Sequence, residues 1–117
     1  ASRNGRFLLS SEQDLADAQA QSPSGVCVVE FTAAWCHSCK KFAPAFDKLV
    51  KEFAASTSFC EVDVDQAPEL TSQYGASQLP LFCLFRNGVR IDQLVGGKQT
   101  ALREKILAAR CSAGGTR

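Results

Sequence analysis

The hexapeptide WCHSCK, from Trp35 to Lys40, carries the side chains of this sequence that are best suited to chemistry. It holds two thiols, Cys36 and Cys39, with the imidazole of His37 between them. Residues three apart lie on one face of a helix, so the two sulfurs could meet. The pair could be a redox catalyst, half of a zinc site or a structural staple, and the surrounding secondary structure has to decide between these.

Alternating strands and helices are predicted around this motif. The apolar, β-branched run at 26–33 predicts a strand that is covered on both faces and ends just before Cys36. From Cys36 to Phe53 the apolar residues recur at helical spacing, and Asn87 with Gly88 predicts a hairpin. The predicted order is a strand at 6–9, a helix at 12–20, a strand at 26–33, a helix at 36–53, a strand at 58–65, a short helix at 67–75, strands at 79–85 and 89–95, and a helix at 99–110.

This order predicts an α/β fold with a central mixed sheet of five strands and helices on both faces. Ligands of such sheets bind at the carboxyl ends of the parallel strands, which is where WCHSCK lies. We expect residues 1–117 to form one domain, with residues 1–5 and 112–117 frayed. The stretch before helix 12–20 contains Ser10 and Gln13 in the pattern of a capping box.

The composition excludes several classes of protein. Hydrophobic residues make up 45% of the chain, and no run approaches the roughly 18 apolar residues of a membrane span. Thirteen Lys and Arg residues against twelve Asp and Glu leave no charge excess that would attract nucleic acid. The first residues lack the order of a signal peptide. We therefore expect neither a membrane nor a nucleic acid as partner.

Redox chemistry fits the cysteine pair better than the other two interpretations. Cys36 lies where a strand passes into a helix, and the free amides and dipole of a helix N-terminus stabilise a thiolate. Cys39 could then attack a mixed disulfide formed by Cys36. Zinc needs about four ligands, and the chain has one His. A disulfide that closes so short a loop would add little stability. We expect no metal and no cofactor other than the Cys36–Cys39 disulfide itself.

The other four cysteines stand alone. Cys27, Cys60 and Cys83 each lie within an apolar run, where a free thiol is usually a small buried hydrophobic group. Cys111 lies among small and polar residues near the end of the chain and is the candidate for exposure. An exposed thiol could be glutathionylated or could link two chains. We expect a monomer, with a Cys111-linked dimer as the alternative.

The segments VVEFTAAWCHSCKKFAP, EVDVD, QLP and FRNG occur in the order and spacing of the thioredoxin family, which this chain resembles over nearly its whole length. The resemblance implies a thioredoxin fold, with Cys36 as the attacking and Cys39 as the resolving cysteine. The chain departs from the usual family pattern at four positions. At two of these, His37 and Ser38 replace the common Gly and Pro. The remaining substrate-binding positions that the resemblance implies are Trp35 beside the cysteines, Leu79 before a cis Pro80, and Val95 and Gly96 bordering the groove.

Glu30 is the third candidate catalytic residue. Its carboxyl lies within a strand that should be buried, where the family usually carries Asp. Burial raises the pKa of a carboxyl group, so Glu30 could take the proton of Cys39 near neutral pH. The alternative is a partly solvated residue whose carboxyl is satisfied by a hydrogen bond.

These observations predict a thiol-disulfide oxidoreductase that reduces protein disulfides. An oxidising or isomerising protein is the alternative among enzymes, because a charged His37 would stabilise the Cys36 thiolate and raise the reduction potential. A redox-sensing interaction module is the alternative outside enzymes. The expected partners are disulfide-containing client proteins and an upstream reductase or other dithiol donor. The expected location is a reducing compartment, the cytoplasm or else a plastid or other organelle matrix.

Overall fold

A six-stranded sheet forms the centre of the computed structural model, which describes residues 2–114 and the side chains of residues 2–111. Helices alternate with the strands along most of the chain. The elements are β1 (Ser2–Arg3), β2 (Arg6–Leu8), α1 (Glu12–Ala20), β3 (Val26–Thr32), α2 (His37–Phe53), β4 (Ser58–Asp63), α3 (Pro68–Gln73), β5 (Leu81–Arg86), β6 (Val89–Val95) and α4 (Gln99–Gly114).

The strands lie in the order β1-β2-β4-β3-β5-β6. Strand β4 runs parallel to both β2 and β3, whereas β5 is antiparallel to β3 and to β6. Six consecutive residues of β3, from Val26 to Phe31, are buried, because neighbours cover this central strand on both faces. The mixed sheet confirms the predicted fold class, and β3 delivers the chain to the cysteine motif.

Two hydrophobic clusters confirm that helices cover both faces of the sheet. Leu15 and Ala18 of α1 and Leu70 of α3 pack on one face, against Cys27, Val29 and Phe31 of β3 among others. On the other face, α2 and α4 pack against alternate residues of the same strand. The members of that second cluster on these two helices and on β3 are Phe42, Phe46, Leu49, Val50, Phe53, Leu102, Ile106, Ala109, Val26 and Val28.

The sheet has six strands where the sequence predicted five, because the first residues form a hairpin. Ser2 and Arg3, which we expected to fray, pair antiparallel with Phe7 and Arg6. Asn4 and Gly5 join the strands with φ angles of 51° and 80°. Asn-Gly is the dipeptide favoured where both turn residues need positive φ, so this hairpin had a signal in the sequence.

Other local predictions can also be compared with the structure. The cap of α1 is Ser11, one residue later than expected, and its side chain accepts a hydrogen bond from the Asp14 amide. The Asn87–Gly88 hairpin is confirmed, again with positive φ at both residues. Helix α4 extends to Gly114, into the stretch that we expected to fray, while Ala1 and residues 115–117 lie outside the described residues. Within the described part of the chain, no helix is long and apolar enough to cross a membrane.

Candidate active site

The two cysteines of WCHSCK form a disulfide at the start of α2, and their Cα atoms are 5.3 Å apart. Cys36 is the N-cap of the helix, and its sulfur accepts a hydrogen bond of 3.2 Å from the Cys39 amide. An N-cap side chain normally uses oxygen for this contact, so here sulfur takes the place of oxygen. Both residues are 5% exposed and pack against Ala33, with Val64 and Leu79 beside them. A thiolate at Cys36 would face a helix N-terminus, as the sequence predicted.

Three predicted substrate-binding residues surround the pair on the solvent side. Trp35 is 67% exposed, and its indole nitrogen donates a hydrogen bond of 2.7 Å to the carboxylate of Asp65. This bond holds a large aromatic surface in place beside Cys36. His37 and Ser38 form the exposed first turn of α2, and the Ser38 hydroxyl lies 3.9 Å from the Cys36 sulfur.

The other predicted substrate-binding residues lie on the loop before β5 and at the end of β6. The Leu79–Pro80 peptide bond is cis, and the Leu79 side chain packs against the cysteine pair. The Gly96 amide donates a hydrogen bond of 2.8 Å to the carbonyl of Pro80, and Val95 is 46% exposed. These contacts link the Leu79–Pro80 segment to the active-site cysteines on one side and to the end of β6 on the other.

Glu30 is 5% exposed on β3 and lines a cleft of about 680 Å³ that also contains Cys39. Burial, together with the neighbouring charge of Glu61, raises the pKa of its carboxyl to about 8. The charges of Arg6 and Arg3 act in the opposite direction. The structure therefore brings a carboxyl that titrates near neutral pH into the same cleft as Cys39.

Sequence reasoning did not single out the charged residues of this cleft. Arg6 is 5% exposed, its guanidinium stacks 4.7 Å from the centre of the Phe46 ring, and it forms an ion pair with Asp47. Arg3 donates to both carboxylate oxygens of Glu61, at 2.7 and 2.6 Å. Among Arg3, Arg6, Asp47 and Glu61, only Glu61 lay in a segment that the sequence had marked, EVDVD, and the structure pairs it with Glu30.

The four remaining cysteines behave as their sequence surroundings suggested. Cys27, Cys60 and Cys83 are fully buried, and the sulfurs of Cys27 and Cys60 lie 3.4 Å apart across two strands. Burial raises the pKa of the Cys83 thiol, and at Cys60 the contact with Cys27 and burial raise it together. Cys111 is exposed. In the described part of the chain, no three potential ligands are grouped so that they could hold a metal ion.

Comparisons with a family profile, with individual proteins and with solved structures all give thioredoxins as matches. A thioredoxin family profile matches residues 9–108. The chain is 35% identical over 89 residues to Thioredoxin H4 of Arabidopsis thaliana, covering 76% of this chain and 75% of that protein. It is 37% identical over 87 residues to Thioredoxin-1 of Caenorhabditis elegans, covering 74% of this chain and 75% of that protein. The X-ray structure of Fasciola hepatica thioredoxin matches with a TM-score of 0.80 and 32% identity, over 87% of this chain and 97% of that one.

The matched region contains every site residue predicted from the sequence, from Glu30 to Gly96. Within it, Cys36 and Cys39 form the disulfide that thiol-disulfide exchange requires. The family match, the relatives and the cysteine pair together show that the chain belongs to the thioredoxin family and is a thiol-disulfide oxidoreductase.

Proposed function

We propose that this protein reduces disulfides of client proteins, with Cys36 as nucleophile and Cys39 as resolving thiol. The observation that carries the proposal is the position of the Cys36 sulfur, which caps α2 and accepts the Cys39 amide hydrogen bond at 3.2 Å. A main-chain donor and a helix dipole both favour the thiolate, which is the reactive form. Cys39 lines the cleft that also contains the buried carboxyl of Glu30, so we assign to it the resolving step, in which a thiol has to lose its proton.

The reaction proceeds in two exchanges. The Cys36 thiolate attacks one sulfur of the client disulfide, forms a mixed disulfide and releases the other client sulfur as a thiolate, which takes up a proton. The Cys39 thiol then loses its proton and attacks the Cys36 sulfur, which releases the second client thiolate. The client gains two electrons, and the protein is left with the Cys36–Cys39 disulfide seen in the structure. A dithiol donor or an upstream reductase returns it to the dithiol form.

Glu30 is the proton acceptor for Cys39 in this scheme. Its pKa of about 8 lets the carboxyl gain and lose a proton near neutral pH. Both residues line one cleft, which gives the proton a path through water. In the reverse direction, protonated Glu30 returns the proton to the Cys39 sulfur when the disulfide is reduced.

Client recognition is assigned to the surface around the disulfide. Trp35, His37 and Ser38 form one side of this surface, and Leu79, Pro80, Val95 and Gly96 form the other. Among the described residues, nothing forms a hydrogen bond with the main-chain amide or carbonyl of Leu79. An extended client segment could therefore pair with Leu79 as an added strand, with its disulfide directed at Cys36.

Variants of the two cysteines test the division of roles. We expect the wild-type protein to accelerate the reduction of a model protein disulfide by dithiothreitol, and Cys36→Ser to abolish the acceleration. Cys39→Ser should instead accumulate mixed disulfides with client proteins, visible on non-reducing gels and reversed by reductant. Cys111→Ser is the matched control and should turn over like the wild type. Trapping that depends on Cys39 and not on Cys36 would reverse the assignment.

The reduction potential of the Cys36–Cys39 couple tests the direction of electron flow. A potential of about −270 mV fits a reductase, whereas about −120 to −180 mV fits an oxidant or isomerase. We place the protein in a reducing compartment, either the cytoplasm or an organelle matrix. A couple with the potential of a reductase is kept reduced there. Equilibration with glutathione redox buffers, followed by gel-shift alkylation, gives the value directly.

A further inference from the structure

Glu30 shares its cleft with charged residues from four other elements of the fold. Its direct neighbour across the sheet is Glu61, since the two residues are paired in the register of β3 and β4. Two adjacent carboxylates repel each other, so the ionisation of Glu30 needs a positive charge nearby. The titratable and charged side chains that line the cleft with Glu30 are Arg3 of β1, Arg6 of β2, Glu61 and Asp63 of β4, and Cys39, Lys40 and Asp47 of α2.

Arg6 is the most buried of these positive charges. Its side chain is 5% exposed, compared with 57% for Arg3, so solvent screens it far less. It is held in place by the Phe46 ring below and by the ion pair with Asp47 at its tip. Its Nε lies 4.0 Å from the Glu61 carboxylate and has no hydrogen-bond partner among the described residues. A buried arginine nitrogen without a partner is costly unless a negative charge or a water molecule can reach it.

We propose that Arg6 is a positioning residue for Glu30, supplying the positive charge that keeps this buried carboxyl partly ionised, so that it can accept the proton when Cys39 gives it up. Arg3 assists from the first strand by pairing with Glu61, which would otherwise oppose that ionisation. The inference rests on the proposed role of Glu30 as proton acceptor. It assigns a function to the N-terminal hairpin of β1 and β2, which lies at the edge of the sheet.

The charge arrangement fixes the direction in which each substitution acts. Removing the positive charge with Arg6→Gln should raise the pKa of Glu30 above its value of about 8, by about half a pH unit or more. Removing the negative neighbour with Glu61→Gln should lower the pKa. Arg6→Lys keeps the charge and should stay close to the wild type. Structural damage alone would not raise the pKa of Glu30 in one variant and lower it in another.

The first measurement titrates Glu30 itself in the oxidised protein, by carbon NMR of glutamate side-chain carboxyls assigned with Glu30→Gln. Arg103→Gln is the matched control, since it removes one positive charge from α4, outside the cleft, and should leave the titration unchanged. If Arg6→Gln does not fold, the exposed Arg3→Gln tests the same charge effect with a smaller upward movement of the midpoint. An unchanged Glu30 midpoint in folded Arg6→Gln, or in both Arg3→Gln and Glu61→Gln, overturns the proposal.

The second measurement follows the resolving step as a function of pH. In the Cys111→Ser background, which removes the exposed free thiol, stopped-flow reaction of the reduced protein with dithiobis-nitrobenzoate releases one coloured thiolate when Cys36 attacks and a second when Cys39 resolves. The rate of the second phase should rise with pH through a midpoint that belongs to the coupled Glu30–Cys39 pair. Arg6→Gln should shift this midpoint upward and slow the second phase at pH 7 about three- to tenfold.

The two measurements separate this inference from the proposed function. If the Glu30 titration moves as expected but the second phase keeps its pH profile, the charge control by Arg6 stands and the relay through Glu30 is wrong. If Glu30→Gln slows the second phase but Arg6→Gln changes neither the titration nor the profile, the relay stands and the role of Arg6 is wrong.

Discussion

At the scale of single residues, Glu30 lies where folding favours an apolar side chain and the proposed reaction requires an acid. Its carboxyl lies on the same face of β3 as Val26 and Val28, the face that α2 covers. An apolar side chain would pack there without cost. A charged carboxylate in such a place is unfavourable, and the raised pKa is the result. The same burial gives the carboxyl a pKa near neutral, which its proposed role as proton acceptor for Cys39 requires.

Glu30 should therefore make the stability of the protein fall as pH rises. Its pKa is about 8 in the folded chain and near the model-compound value of 4.5 when unfolded. Between these values the unfolded chain loses the proton and the folded chain keeps it, so unfolding becomes easier. The stabilisation is complete below pH 4.5 and is lost by about pH 8, a total of roughly 3 to 5 kcal/mol.

Urea unfolding of the oxidised protein at pH 5 and pH 9 measures this effect. The free energy of unfolding of Glu30→Gln should fall less between the two pH values than that of the wild type. Glu104→Gln removes an exposed carboxyl from α4 and should keep the wild-type difference. Equal pH dependence in the wild type and Glu30→Gln would show that Glu30 ionises in the folded protein much as it does in the unfolded one.

At the scale of elements, the close contact between Gly97 and α2 positions the end of β6. A Cβ atom on Gly97 would lie 2.8 Å from three side-chain atoms of Phe42, of which one is the Cβ next to the helix backbone. Phe42 is itself buried against Phe82 and Phe46, so it cannot easily turn away. The absence of a side chain at Gly97 lets the Val95–Gly97 segment pack onto the helix that carries the cysteines.

Gly97→Ala should destabilise the protein by about 1 to 3 kcal/mol, which is the usual cost of overpacking a filled core. It should also slow client reduction, because the segment that contacts Pro80 has to move. Gly88→Ala is the control. Gly88 has a φ of +88° and is surrounded by open space, so this substitution strains the backbone without creating a side-chain contact. Chemical denaturation and reductase turnover of both variants are the measurements. If Gly97→Ala proves as stable and active as the wild type, the contact with Phe42 adjusts freely.

The same scale shows what local sequence can predict. Local patterns were sufficient for β3, α2 and the β5–β6 hairpin, because each carries its own signal: a continuous apolar run for β3, helical spacing of apolar residues for α2, and Asn87–Gly88 for the hairpin turn. The β1–β2 hairpin was missed, although Asn4–Gly5 carries the same turn chemistry as Asn87–Gly88. A two-residue strand has too little periodicity to be recognised, and its pairing depends on β2 being held by β4.

At the scale of the whole molecule, the charges of the cleft could not be predicted from the sequence. Arg6 and Glu61 are 55 positions apart in the chain and come together only because β2 pairs with β4 in one particular register. Cys36 and Cys39, in contrast, are close in any helix, so their spacing and the predicted strand-to-helix junction were enough to favour redox chemistry. Long-range pairs of single charges leave no periodic pattern, whereas local motifs do.

The distribution of thiols across the molecule leads to a further prediction. The oxidised chain has six cysteines, of which two form the disulfide, three lie fully buried and one, Cys111, is exposed. A buried thiol reacts slowly with alkylating reagents, because reaction requires an exposed thiolate. Iodoacetamide should therefore modify one thiol of the folded, oxidised protein within minutes, and four once denaturant is present.

Intact mass spectrometry counts the adducts, and Cys111→Ser should reduce the native count to zero while leaving three in denaturant. The same variant should abolish any covalent dimer formed under mild oxidation, as seen on non-reducing gels, since Cys111 is the exposed free thiol among the described residues. Rapid labelling of Cys27, Cys60 or Cys83 in the native state would mean that the central strands open far more often than their complete burial implies.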